Sequence, residues 1–128
     1  MKTAIAVVVA GALVGGAILF AGSSGGKGTT PSVANVSTAD GKQIVEIDAK
    51  GGYSPRLSAA KAGMPTVLRM KTNGTFDCSA SVAIPSIGYR QFLPPSGETD
   101  IEVSPQRSGT ILQGVCAMGM YRFSVQFN

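Results

Sequence analysis

No histidine occurs in the 128 residues, which removes most ways of building an acid–base enzyme that works near neutral pH. Runs of basic residues interleaved with aromatics are missing as well. Eleven Lys and Arg stand against seven Asp and Glu, a formal charge of +4, and they are scattered along the chain. A solvated basic surface accounts for them, and nucleic-acid binding does not. The Gly-rich stretch GSSGGKGTT lacks the glycine spacing of a phosphate-binding loop. No cysteine stands directly behind the N-terminal apolar segment, so a lipoprotein anchor is excluded. No internal repeat is visible, and helical periodicity is absent after the first forty residues, apart from a possible turn near 58–61.

Residues 4–21 form an uncharged apolar run of eighteen residues, the short end of what spans a bilayer as a helix. A cleaved signal peptide is the rival, with Ala21 and Ser23 as small residues near a cleavage site. The run exceeds the usual signal length of about 7–15 apolar residues, so a single-pass anchor is preferred. Lys2 and the terminal amine place the N-terminus on the cytoplasmic side and the following domain outside. Lys27 on the other flank counts against this, and a cytoplasmic domain stays open. Residues 22–41 are dominated by Gly, Ser and Thr and read as a flexible linker. A coil of that length reaches on the order of 25 Å.

From residue 42 to 128 the signals are those of β structure. Residues 43–48 are rich in Ile and Val, and 66–71 alternate Leu68 and Met70 with Arg69 and Lys71. The Asn73-Gly74 pair marks a turn. Residues 76–84 read as a strand carrying Cys78 and stopping at Pro85. Further strands are expected at 99–103, 110–115 and 121–127, the last with strict period-two alternation. Many short strands between Gly and Pro turns predict an all-β sandwich or barrel.

The chemistry concentrates in Cys116-Ala117-Met118-Gly119-Met120, with a second thiol at Cys78. A Cys and Met donor set without imidazole is soft, and soft sulfur selects copper in its reduced state over harder divalent ions. In an extended segment Cys116, Met118 and Met120 share one side, and Gly119 lets the backbone bend them toward one ion. The competing reading is a Cys78–Cys116 disulfide in an anchored structural or interaction domain without metal. The Met-Gly-Met segment, which a structural disulfide does not need, favours the metal site. Met64 and Met70 sit in apolar surroundings and are expected to fill core gaps.

These elements resemble a known family. Gly51-Gly52-Tyr53-Ser54-Pro55, Lys61-Ala62-Gly63-Met64-Pro65, Cys78, Leu93-Pro94 with Gly97, and the Cys-x-Met-Gly-Met ending are similar to the cupredoxin-like domains of bacterial copper resistance. That family includes membrane-anchored copper(I) chaperones and metal-binding domains of copper-exporting P-type ATPases. The resemblance covers about residues 43–127. It implies a cupredoxin-like Greek-key β-sandwich behind one transmembrane helix and a flexible linker. It further implies Cys78 and Cys116 as thiolate ligands and Met118 and Met120 as thioether ligands. Two Cu(I) ions sharing Cys116 are implied as well, with delivery to a copper-exporting P-type ATPase or similar membrane exporter. Electron-transfer cupredoxins use two His and one Cys, and the absence of His turns this chain away from redox cycling. The expectation is a non-catalytic, membrane-tethered copper(I) chaperone or sequestering protein with no small-molecule substrate.

Overall fold

The computed structural model describes residues 30–128. The apolar stretch 4–21 and the first part of the expected linker lie outside the described residues. Among the described residues no helix is long and apolar enough to cross a membrane.

Ten strands follow in chain order: β1 Val36–Ala39, β2 Lys42–Ala49, β3 Tyr53–Ser54, β4 Leu57–Ala60, β5 Thr66–Thr72, β6 Ser81–Ile84, β7 Tyr89–Phe92, β8 Gly97–Val103, β9 Ile111–Cys116 and β10 Arg122–Phe127. They form two mixed five-stranded sheets. One runs β1-β2-β5-β8 with β3 on β2, and the other runs β4-β10-β9-β6-β7. The only helical elements among the described residues are two short 3₁₀ turns, Cys78–Ala80 and Pro85–Ile87.

Alternation dictates which side chains enter the core. Val45 and Ile47 on β2, Leu68 and Met70 on β5, and Ile101 and Val103 on β8 point inward from one sheet. Val82, Leu112, Phe123, Val125 and Phe127 join the same cluster from the other. Each such side chain contributes about 1.5–3 kcal/mol when fully buried. Met70 is fully buried, as expected, whereas Met64 is only half-buried. One amide is buried among them. The Gln43 side chain donates to the Lys61 carbonyl at 3.0 Å and to Thr66 Oγ1 at 3.1 Å, and accepts from the Lys61 N–H at 2.7 Å. These bonds offset its desolvation.

Two sequence expectations are corrected. The coil expected over 22–41 gives way to ordered structure near Pro31, and the compact unit spans Pro31–Asn128 rather than starting at 42. Ser32 bridges to Ser58, and β1 pairs antiparallel with β2 from Val36↔Val45 to Ala39↔Lys42. The connection is Asp40-Gly41, both with positive φ, which a two-residue hairpin with the favoured twist requires. β1 is an edge strand exposed along most of its length, so no apolar alternation betrays it. The turn expected near 58–61 is instead part of β4, a strand paired parallel with β10.

Candidate metal centre

Cys116 closes β9, and residues 117–120 turn the chain into β10. The Gly119 N–H donates to the Cys116 carbonyl at 2.9 Å, and the Cys116 N–H donates to the Tyr121 carbonyl at 3.1 Å. Gly119 sits at φ +72°, a conformation that costs a residue with a Cβ about 1–2 kcal/mol. The segment is therefore a tight loop, not the extended run in which alternation would align the three sulfur residues. Cys116 is buried, while Met118 and Met120 stand 77% and 63% exposed at the loop.

Cys78 was expected within a strand and lies instead in the 3₁₀ turn just ahead of β6. Asp77 builds that turn. Its carboxylate accepts from the Ser79 N–H at 3.0 Å, from the Ser79 hydroxyl, and from the Gly51 N–H at 2.6 Å. The Ser79 hydroxyl is the main cause holding the Asp77 carboxyl below its ordinary range; desolvation opposes it, and the backbone N–H bonds add to it. Pairing of β6 with β9, Val82↔Cys116, brings the turn to the end of β9.

The two cysteines thus meet across 38 positions of sequence, with Cα atoms 5.7 Å apart. They are joined as a disulfide. Proximity allows this bond, so the pairing that the sequence offered as the competing reading is the one the structure contains. The Met118 N–H points at Cys78 Sγ at 3.4 Å, so the loop after Cys116 touches the sulfur of Cys78. Behind them, Tyr53 packs edge-on against Phe123, with ring centroids 4.9 Å apart. Burial, with the Asp77 charge adding, pushes the Tyr53 hydroxyl up to about 12. It donates toward the Ser81 carbonyl at 3.4 Å. All four sulfur residues marked in the sequence therefore gather at one end of the fold. The supports at Asp77 and Ser79 were not legible, since nothing in their local sequence marks them as belonging to it, whereas Tyr53 stands in the Gly51–Pro55 run that carries the family resemblance. Among the described residues no group of three or more His, Cys, Asp or Glu comes together as a metal cluster.

Replacing Asp77 with Ala should loosen the Cys78 turn without touching a sulfur. The Gly51 and Ser79 amides lose their acceptor, and their hydrogen exchange should accelerate relative to amides of β2 and β5. The lowered carboxyl stabilises the fold above the ordinary carboxylate range, near 3.9, and that contribution disappears as pH falls through the depressed value. Acid unfolding of the Ala variant should accordingly be less steep. Unchanged exchange at both amides would rule out the bracing role.

No protein-family model and no curated protein matches this sequence. Solved structures do share the fold. One is the metal-binding domain of the Cu(I)-exporting P-type ATPase CopA of Streptococcus pneumoniae, with Cu(I), at TM-score 0.64 and 22% identity, covering 73% of this chain and 92% of that one. Another is a copper-binding protein in the apo form, studied in solution, at TM-score 0.69 and 21% identity, covering 79% of this chain and 100% of that one.

Proposed function

We propose that the domain, with its cysteine pair reduced, is a cupredoxin-like copper(I) carrier using Cys78, Cys116, Met118 and Met120. The observation that carries this reading is the placement of two adjoining cysteines beneath an exposed Met-Gly-Met loop. Copper(I) favours thiolate and thioether donors. Two thiolates retain the ion, and neutral thioethers at the surface allow exchange with an incoming ligand. The likeness to two copper-associated domains supports the choice of metal. We infer two ions at most, with Cys116 shared, and transport or sequestration rather than turnover of a substrate. A membrane exporter of the P-type class is the recipient that fits this use. The apolar stretch 4–21 supports a membrane tether that keeps the carrier near it.

Anaerobic titration of the reduced domain with Cu(I) against a competing chelator tests the assignment. Binding should be tight and accompanied by loss of two titratable thiols. Replacing both Met118 and Met120 with Leu should leave the tight site intact and weaken a second copper or slow handover to an acceptor. Both side chains are exposed, so stability should change by less than about 1.5 kcal/mol. A tight site lost in this double variant would reverse the assignment of roles.

The bonded cysteine pair favours one alternative, an anchored structural or interaction domain with a permanent disulfide and no metal. A thiol count on natively purified protein separates the two. Two free thiols that vanish on Cu(I) addition support the carrier, and none before reduction supports the structural disulfide.

A further inference from the structure

Beside the sulfur cluster lies an open cleft of about 480 Å³. Its walls include Lys50, Arg56 and Arg122 together with Met120 and Tyr121. All three basic residues are exposed, and none forms a salt bridge with a carboxylate among the described residues. Two carboxylates stand near: Asp77, which accepts from the Gly51 and Ser79 donors, and Asp48, across from Ser54 in the β2–β3 register and in no salt bridge among the described residues. Gly52 and Tyr121 on its lining stand close together, with a Cβ on Gly52 falling 3.5 Å from the Tyr121 ring. Its volume falls within the range of small-molecule sites, roughly 300–1,000 Å³. Three unpaired cations with a candidate copper ligand on the wall define a site for an anion that brings a soft donor with it.

We propose that this cleft binds the carboxylates of a small anionic thiol and is the point where copper(I) enters, or leaves, as that thiol's complex. The inference rests on the copper(I) reading above. Two elements of the fold place the cations: Lys50 and Arg56 flank β3, and Arg122 opens β10 two residues after Met120. A thiol whose carboxylates sit on Arg56 and Arg122 presents its sulfur-bound copper to Met120. In the exchange, bonds from copper to the carrier's sulfurs break as bonds to Met120 and then to the Cys116 and Cys78 thiolates form. Copper stays in the +1 state throughout. The carrier departs as thiolate or, after taking a proton from water, as thiol.

A variant carrying Arg56→Gln and Arg122→Gln tests this, since both side chains are exposed and neither is a proposed copper ligand. The rate of Cu(I) transfer from its glutathione complex to the reduced domain should fall about tenfold at low salt, the lower end of what charge steering supplies. Transfer from the 2-mercaptoethanol complex, whose thiol has no carboxylate, should be unchanged, and so should equilibrium affinity for Cu(I) measured with a chelator. A copper-free arm uses S-methylglutathione, which has carboxylates and no free thiol. Its addition should shift the amide resonances of Gly51, Gly52 and Tyr121 in the parent domain and not in the variant. Equal rates from both carriers in parent and variant, or equal losses, would overturn the proposal while leaving copper binding standing. A loss confined to transfer from acidic protein donors would also overturn it, by giving the cleft a macromolecular ligand. If the reduced domain fails to bind Cu(I) at all, the carrier reading falls, and the copper-free arm alone decides whether the cleft is an anion site.

Discussion

Substituting Ser for either Cys78 or Cys116 should abolish tight copper(I) binding, with affinity falling by more than roughly a hundredfold. Loss of a group that merely supports a metal ligand costs roughly 10–100-fold, and on the proposed assignment a thiolate ligand itself is removed. A serine hydroxyl remains protonated and hard, so it does not substitute for a soft anion. The two variants differ in their cost to the fold. Cys116 is 1% exposed within the core, and a hydroxyl there without a partner costs about 1–3 kcal/mol. Cys78 is half-buried in a turn braced by Asp77, and its replacement is gentler. Under oxidising conditions both variants also lose a cross-link spanning 38 positions, a constraint valued at up to about 4 kcal/mol by the chain-entropy model. Comparing the variants with reduced parent protein removes that contribution. Retention of full affinity in either variant would end the proposal of a two-thiolate site.

Gly114→Val should be the most damaging single change outside the cysteines, lowering stability by about 3 kcal/mol or more. Gly114 lies opposite Phe123 in the β9–β10 ladder, and the Phe123 ring covers the space a side chain would need. A Cβ at this position would collide with three ring atoms of Phe123, which is itself 1% exposed. Tyr53 meets the ring edge-on at 4.9 Å and blocks it on one side, so any relief must come from the side that opens on a hollow of about 190 Å³ lined by Gly114 and Phe123. Gly119→Ala is the informative control. Nothing stands within 4 Å of its Cβ, so only the φ of +72° resists substitution, at about 1–2 kcal/mol. Urea unfolding of the two variants separates crowding from backbone conformation. If Gly114→Val proved milder than Gly119→Ala, the strand register around Cys116 would need revision. Since Gly114 lies two residues before Cys116, the same variant should also disturb copper affinity.

The central strands were legible because burial on one face imposes alternation. Val45 and Ile47, Leu68 and Met70, Ile101 and Val103, and Phe123, Val125 and Phe127 each mark an inward face two residues at a time. The sulfur residues stand out in the sequence for a chemical reason: Cys and Met in a chain without His make a soft donor set. Edge elements escaped. β1 and β7 expose three of four residues or nearly so, and their hydrogen bonds go to neighbours that local sequence does not reveal. β4 reads locally as a turn because its partner, β10, lies more than sixty residues away.

By itself the sequence determined an all-β chain with a soft-sulfur segment and its companion thiol, because periodicity and donor chemistry are local properties. Tertiary structure decided which groups meet. It placed Cys78 in a turn rather than a strand and bonded it to Cys116. It also brought the Met118 N–H to the Cys78 sulfur and gathered Lys50, Arg56 and Arg122 with Met120 into one cleft. Those meetings depend on strand register and sheet order across long sequence separations. A one-residue slip would turn each inward side chain outward, and no short window of residues encodes that register alone.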